Sequence, residues 1–312
     1  MNNVPVALIT YNRPEHTKKV LNALEKLQIS KLYIFSDAPK TDKNYAAVEE
    51  TRKIISGIKW IDAEIIIQKE NQGLAKSIVK ATDIVFEKYN QIILLEDDCI
   101  PREYFMEFMI KCLDKYRGNE KIFGISGYTV PIPDNILKEY NYDLYFSPRI
   151  GSWGWATWKE KWKKRITDLP ALAGMILEKK IDITLGGNDV PVMLTNLLNG
   201  SLKDVWTMQW LLNVYLNEGL YIYPTKSHID NIGMDGTGVH CGKTEKFNTI
   251  FADKSPKRLP DIPEISQNIL KVFQSFYDIF PREDRKQSLS KQNFKVVQIC
   301  TQDNGGAGIA AY

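Results

Sequence analysis

Gln91-Ile92-Ile93-Leu94-Leu95-Glu96-Asp97-Asp98 is the stretch on which the reading of this chain turns. Four consecutive apolar residues without polar alternation describe a strand buried on both faces, and such strands belong to sheets covered by helices on either side. The run then stops in three carboxylates. Working outward toward the N-terminus, the pattern recurs. Residues 4–10, 31–36 and 64–68 are short apolar runs, separated by helix-spaced segments at 16–27, 45–55 and 74–89. Strand and helix alternating over residues 1–130 predict an α/β fold with a mainly parallel central sheet flanked by helices. Ligands of such sheets bind beyond the carboxyl ends of the strands. Here those ends carry Thr10-Tyr11-Asn12-Arg13, Ser36-Asp37, Glu70-Asn71 and Glu96-Asp97-Asp98.

Beyond residue 130 the texture changes to that of a smaller, mixed region. A tryptophan-dense segment, Gly151-Ser152-Trp153-Gly154-Trp155-Ala156-Thr157-Trp158, precedes a helical stretch reaching about residue 177. Asp204-Val205-Trp206-Thr207-Met208-Gln209-Trp210 follows, and then a Gly-rich loop running from Gly233 through Gly236, Thr237 and Gly238 to His240. Residues 251–294 read as a linker or stem that docks loosely, with one amphipathic helix over 265–280. Residues 295–312 read as a strand and a Gly-rich turn opening a helix, the beginning of a second domain cut short.

Composition bounds the class. The chain has 312 residues, 44% hydrophobic and 25% charged, which is ordinary for a globular protein and excludes disorder, collagen and coiled coil. The 41 basic and 38 acidic residues leave a net charge of +3, too little for a polyanion-binding field, so a nucleic-acid partner is not expected. Cys99, Cys112, Cys241 and Cys300 form no C-x-x-C pair and suggest neither a disulfide framework nor a zinc knuckle. That usage fits a reducing compartment. The first sixteen residues lack the basic start of a signal peptide, and no apolar run reaches the ~20 residues of a membrane span. The expected location is the cytoplasm, at most at the inner face of the membrane. The basic run at 159–165 (Lys-Glu-Lys-Trp-Lys-Lys-Arg) offers a peripheral contact with anionic lipid, although a solvated helix face is the better explanation.

The chemistry concentrates at the strand ends. Three successive carboxylates repel one another and need a counter-cation if they are desolvated. A hard divalent ion, Mn²⁺ or alternatively Mg²⁺, meets that need between one or two carboxylates and substrate phosphates. Asp37 can accept from a ribose hydroxyl or a base N–H, or it can serve as a turn acid. Arg13 lies where a guanidinium reaches a diphosphate. His240 is a plausible Mn²⁺ ligand on a loop whose glycines and Thr237 can close over phosphates. Trp153 and Trp155 are read as faces for a sugar ring, with the remaining tryptophans in the core. Asp204, beside that aromatic cluster, is a candidate general base.

Together, Thr10-Tyr11-Asn12-Arg13-Pro14, Asp37 and Glu96-Asp97-Asp98-Cys99-Ile100-Pro101 with Phe105 resemble the pattern of GT-A nucleotide-sugar glycosyltransferases. More narrowly, they resemble bacterial relatives of the Golgi N-acetylglucosaminyltransferase that starts complex N-glycans. The resemblance covers residues 1–250, with 1–130 as the nucleotide-sugar half and 131–250 as the acceptor side and closing loop. It implies a Rossmann-like GT-A fold and a metal-dependent, inverting transfer from a nucleotide sugar, with uridine favoured, to a hydroxyl of a glycan or lipid-linked acceptor. It further implies Asp98 and His240 on Mn²⁺, Asp97 on the ribose and Glu96 at the donor sugar. Thr10, Tyr11, Asn12, Arg13 and Asp37 would hold the nucleotide, and Asp204 would be the base, with Glu160 and Asp168 as fallbacks. The tail from Val296 resembles the opening of a GT-B glycosyltransferase domain.

Two other readings compete. A sugar-nucleotide pyrophosphorylase shares the sheet, but it carries a Gly-rich phosphate loop where this chain has Thr10-Tyr11-Asn12-Arg13-Pro14. A non-catalytic carbohydrate- or nucleotide-binding domain would have no use for an intact acidic triad.

Overall fold

The computed structural model describes residues 4–203, 205–237, 243–278, 298–302 and 306–310. The N-terminal half is built from β1 (Val6–Thr10), α1 (Pro14–Lys26), β2 (Leu32–Ser36), α2 (Asp42–Ser56), β3 (Ala63–Ile67), α3 (Leu74–Lys88) and β4 (Gln91–Glu96). There follow β5 (Cys99–Pro101), α4 (Phe105–Lys115), β6 (Ile122–Ser126), α5 (Asp134–Glu139), β7 (Leu144–Ser147), β8 (Trp155–Trp158) and α6 (Lys159–Trp162). The remainder is α7 (Leu169–Glu178), α8 (Asp189–Leu198), α9 (Trp206–Leu216), β9 (Leu220–Pro224), β10 (Ile229–Asn231), a 3₁₀ turn (Ile232–Asp235), α10 (Gln267–Phe276), β11 (Gln298–Gln302) and β12 (Gly306–Ala310).

Eight strands form one sheet in the order β3-β2-β1-β4-β8-β6-β9-β7. The first four are parallel, as their uninterrupted apolar runs dictate: Val6, Ala7 and Leu8 lie beside Leu32, Tyr33 and Ile34 on one side and Ile93, Leu94 and Leu95 on the other. The second half is mixed. β8 runs antiparallel between β4 and β6, β9 is parallel to β6, and β7 closes the edge antiparallel to β9. The α/β class and the Rossmann-like arrangement expected from the sequence are present. Both faces are covered, so Leu8, Ile34, Ile93, Leu94 and Ile125 are all fully buried. β5 and β10 form a separate antiparallel clip, which anchors the segment leading into the Gly-rich loop next to the acidic end of β4.

Three expectations need correction. Residues 251–278 are packed rather than loosely docked. α10 buries Ile269 and Phe273, whose ring meets Tyr223 at 5.0 Å and Tyr145 at 6.3 Å. Ahead of it the chain is tied to the sheet edge by Ala252 N–H donating to the Ser227 carbonyl (2.9 Å) and Tyr116 Oη–H to the Pro260 carbonyl (2.6 Å). The apolar stripe of α10 has an aromatic face to cover, which sequence periodicity could not show. Second, residues 306–310 form a strand, antiparallel to β11, and not the helix expected after the Gly-rich turn. Paired with β11 in register, Gln298 opposite Ala310 and Gln302 opposite Gly306, the segment gains a backbone ladder instead. Third, the basic run at 159–165 is only partly a solvated face: Lys163 and Lys164 are exposed, but Lys161 and Arg165 are engaged within the molecule. Lys161 is buried and donates to the Glu120 carbonyl at 3.0 Å, Lys164 pairs with Glu120, and Arg165 pairs with Asp83 over the Trp162 ring. Among the described residues, no helix is long and apolar enough to cross a membrane.

Candidate active site

β4 ends in a site because nothing apolar continues it. Past Leu95 the chain turns through Glu96-Asp97-Asp98 into β5, and the neighbouring β1 ends one turn away at Thr10. The two turns are joined directly. Tyr11 N–H donates to Asp97 Oδ2 at 3.2 Å, and the Arg13 guanidinium reaches Asp98 Oδ2 at 2.7 Å. Arg13 also donates to Thr237 Oγ1 (2.8 Å) and toward the Gly233 carbonyl (3.5 Å), and it lies 3.6 Å from Asp235. A Cβ on Gly233 would collide with the Asp98 carboxylate, so this position must be glycine for the 3₁₀ turn to sit on the acid. Gly236 then ends the turn in the left-handed region, at φ 90°.

The electrostatics are those of an under-compensated anion cluster. Burial, reinforced by the Asp98 charge, pushes the Asp97 carboxyl up to about 7, against the pull of Arg13 and the Tyr11 N–H. Burial and the two neighbouring acids likewise raise Glu96 well above the usual carboxylate range. One guanidinium among three carboxylates leaves room for more positive charge. Among the described residues, no three His, Cys, Asp or Glu side chains converge into a ready-made metal cage. The donor set instead fits a hard cation that brings phosphate oxygens as its other ligands, the usual arrangement for Mg²⁺ and related ions.

The other expected residues separate into three groups. Brought together at this edge are Tyr11, Asn12, Arg13, Glu96, Asp97, Asp98, Gly236 and Thr237. Tyr11 Oη accepts from Lys40 N–H at 3.0 Å. Thr237 N–H and Oγ1–H both go to Asp235, at 2.9 and 2.7 Å, so its amide is engaged within the turn. Those two bonds, with His16 and Arg13, hold the Asp235 carboxyl down at about 2.

A second group has structural work. Thr10 is buried in β1, its hydroxyl donating to the Phe35 carbonyl. Asp37 is buried and accepts from Ala38, Gln72 and Gly73 N–H at 2.9–3.0 Å and from Asn71 Nδ2 at 3.1 Å. Its lone pairs bind residues 71–73 to the end of β2, and a ribose or base would have to displace them. Trp155 is a correction. It lies on central strand β8, fully buried and stacked on Trp206 at 4.9 Å, where no sugar can reach it. Trp158, Trp206 and Trp210 are buried as well. Trp153, half-buried between Tyr128 (4.5 Å) and Phe247 (5.1 Å), remains able to present a ring face.

The third group is not brought here. Asp204 and His240 lie outside the described residues. Of the fallback bases, Asp168 is exposed and caps α7 by accepting from Ala171 N–H at 3.0 Å. Glu160 lines a cavity of about 670 Å³ with Asn90, Gln91, Arg117, Lys159 and Lys163, at the start of β4. That is the opposite end of a six-residue strand from the acids, roughly 17 Å away at 3.3 Å per residue. The large cavity is therefore not the site. Sequence reading missed Asp235 and the role of His16, whose Nε2 stands 3.1 Å from Asp235 Oδ2. Only the pairing of a first-helix residue with a loop some 220 positions later reveals them.

No known protein-family profile matches the sequence, and no curated protein matches it. Among solved structures the chain is similar to the mannosyltransferase PcManGT from Pyrobaculum calidifontis in complex with GDP-Man and Mn²⁺, at 13% identity over 69% of each chain, with a TM-score of 0.40. It is similar to TarS of S. aureus at 12% identity, covering 73% of this chain and 36% of that one, with a TM-score of 0.41. A UDP-glucose pyrophosphorylase complexed with UDP-glucose matches at 9% identity over 71% of this chain and 89% of that one, with a TM-score of 0.34. Likenesses this distant carry no residue roles. The reading of the site rests on its own geometry.

Proposed function

We propose that the chain is a metal-dependent glycosyltransferase. It moves a sugar from a nucleotide-sugar donor, with uridine as the favoured base and N-acetylglucosamine as the favoured sugar, to a hydroxyl of a glycan or lipid-linked acceptor. The observation that supports this most is the partly buried triad Glu96-Asp97-Asp98 at the end of a central parallel strand, facing Arg13 across the β1 turn, with the carboxyls of Glu96 and Asp97 pushed up by burial and by their neighbours' charge. Such a strand end is where open α/β sheets bind ligands. An anion cluster short of positive charge suits a cation-bridged diphosphate.

In this reading Asp98 holds Mn²⁺ or Mg²⁺, with His240 as a second ligand. The ion, when bound, neutralises the charge that develops on the departing nucleoside diphosphate. Arg13 pairs with a phosphate oxygen, Asp97 accepts from the ribose and Glu96 orients the donor sugar. Tyr11 and Asn12 line the nucleotide, with Gly236 and Thr237 of the turn at its phosphates. Trp153 offers a ring face to a sugar. Asp204 takes the proton from the acceptor hydroxyl as its oxygen attacks C1 and the C1–O bond to the diphosphate breaks, inverting the configuration. A cytoplasmic setting belongs to the same proposal.

Calorimetry with UDP-, GDP-, CDP- and dTDP-sugars, each with and without Mn²⁺, tests it. The expected result is one donor class that binds only with Mn²⁺ and loses that binding in Asp98→Ala. Absence of any metal-dependent binder would overturn the proposal in favour of a binding module.

A further inference from the structure

In the structure Asp98 already has a cation. The Arg13 guanidinium sits on Oδ2 at 2.7 Å, and Gly233 packs so close to that oxygen that even a Cβ there would collide with it. The remaining oxygen, Oδ1, faces the Cys99 thiol at 3.5 Å. A divalent ion bonds a carboxylate oxygen at 2.0–2.2 Å, within the volume now filled by the guanidinium. Ion and guanidinium, both positive, therefore compete for the same carboxylate.

Arg13 is also the hub of the turn at 232–237. It donates to Thr237 Oγ1 at 2.8 Å, points at the Gly233 carbonyl and lies 3.6 Å from Asp235, while His16 of α1 grips the same Asp235 at 3.1 Å. Asp235 in turn holds Thr237 through two short hydrogen bonds. Beyond this network the turn is tied to the strand end chiefly by Ile232 N–H donating to the Asp98 carbonyl at 2.9 Å. The guanidinium that covers the acid is thus the one that holds the turn down. Among the described residues its Nε is buried without a partner.

We propose that Arg13 is a placeholder cation and latch: in the metal-free protein it occupies Asp98 and pins the 232–237 turn, and a divalent ion gains Asp98 only as the guanidinium leaves and the turn loosens. This rests on the reading of Asp98 as the metal carboxylate. The device keeps the metal site shut until a diphosphate arrives that can accept the displaced guanidinium, since an arginine gives up one charge-assisted pair readily only for another. Metal affinity and turn mobility are then linked, and each must alter the other by the same factor.

The test uses the full chain and Mn²⁺ alone, titrated by the EPR signal of the free ion, with hydrogen exchange of the 232–237 amides measured in parallel. Arg13→Gln should tighten Mn²⁺ binding in the absence of nucleotide at least tenfold and speed exchange in the turn at least tenfold. Thr237→Val, which cuts the Arg13–turn bond but leaves the Arg13–Asp98 pair, should speed exchange and, by the same linkage, tighten Mn²⁺ binding in the same direction but by less than Arg13→Gln does. Asp98→Asn separates the two levels of the argument. If it weakens Mn²⁺ binding while Arg13→Gln leaves that binding unchanged or weaker, the metal site stands and the latch is overturned. If Asp98→Asn binds Mn²⁺ as the wild type does, the metal assignment fails and the latch falls with it. Mn²⁺ binding too weak to detect in Arg13→Gln overturns the latch as well.

Discussion

Two neighbouring strand ends of the same sheet carry aspartates, and the chain treats them in opposite ways. At the end of β2, Asp37 receives backbone N–H groups from Ala38, Gln72 and Gly73 and the side-chain amide of Asn71. At the end of β4, Glu96, Asp97 and Asp98 share one guanidinium and the Tyr11 N–H, and burial with mutual repulsion drives Glu96 and Asp97 toward their protonated forms. One carboxylate has been filled by its own chain, and three have been left short. A filled carboxylate is part of the scaffold. A desolvated, unfilled group costs free energy in the empty protein, a cost that function accounts for and folding does not.

The largest effect that could break this contrast is at Asp98. Asp98→Ala should lower transfer from a nucleotide sugar by three orders of magnitude or more, since charge stabilisation of a leaving diphosphate is worth several kcal/mol. Its effect on stability should stay within about 1 kcal/mol, because relief of repulsion offsets the loss of the Arg13 pair. A variant that transfers sugar normally, or that unfolds, would place Asp98 with the scaffold. Asp37→Ala should show the reverse. With three backbone donors and an amide left unpaired, the protein should lose about 3 kcal/mol in denaturant unfolding. Its affinity for Mn²⁺ should not change. A loss of donor binding without loss of stability would restore Asp37 as a direct ligand of the nucleotide.

That contrast also marks what could be read from sequence. The four parallel strands were legible because doubly buried strands leave an unbroken apolar signature, and Glu96-Asp97-Asp98 was legible because three acids interrupt it. Asp37 looked the same as Asp98 in one dimension. Only the return of residues 71–73 onto β2 separates them, and no local pattern encodes that return. Trp155 and Trp153 stand two positions apart, a spacing that describes the same face of a strand. Yet Trp153 precedes β8 in a loop bent by the left-handed Gly154, at φ 57°, and Trp155 is inside the sheet. The latch residues were illegible for a simpler reason. Arg13 and His16 meet Asp235 and Thr237 across most of the chain, and long-range pairing leaves no periodic trace.

A third buried ionisable group sharpens the comparison from the opposite sign of charge. His228, next to the β10 clip, is 3% exposed and stacked on Phe108 at 4.7 Å, and among the described residues its Nδ1 has no partner. Burial pushes its pKa down to about 4, only partly opposed by Glu107, and the nearby cavity wall holds Asp143, Lys226, Asp253, Lys254 and Arg258. The unfolded chain takes up a proton near 6.5 while the folded chain resists until about 4. The stability at stake is present in full above pH 6.5 and is lost as pH falls toward and through 4. A difference of that size is worth about 3 kcal/mol. Between pH 7 and 4 the wild type should lose about 3 kcal/mol of stability relative to His228→Phe, read from unfolding curves of both. Parallel curves would mean that the imidazole titrates normally and finds water.

The smallest expected effect lies at Trp153, and it asks whether the aromatic region contains any surface left unfilled for a ligand, as the acidic end of β4 does. Trp155→Ala and Trp153→Ala remove the same side chain two residues apart. The first opens a cavity beneath Trp206 and should cost 3–5 kcal/mol of stability, as loss of a buried aromatic does. The second removes a ring already half in contact with solvent, held edge-on by Tyr128 and Phe247. Its stability cost should stay near 1 kcal/mol. If Trp153 stacks on a sugar, the KM for donor or acceptor should rise several-fold with kcat nearly unchanged, the signature of a contact worth about 1 kcal/mol made equally in ground and transition states. Trp153→Phe, which keeps a face for C–H contacts, should recover most of that loss. Full activity in Trp153→Ala would assign the whole tryptophan segment to the core, leaving the acids and Arg13 as the only part of this sheet edge kept open for a substrate.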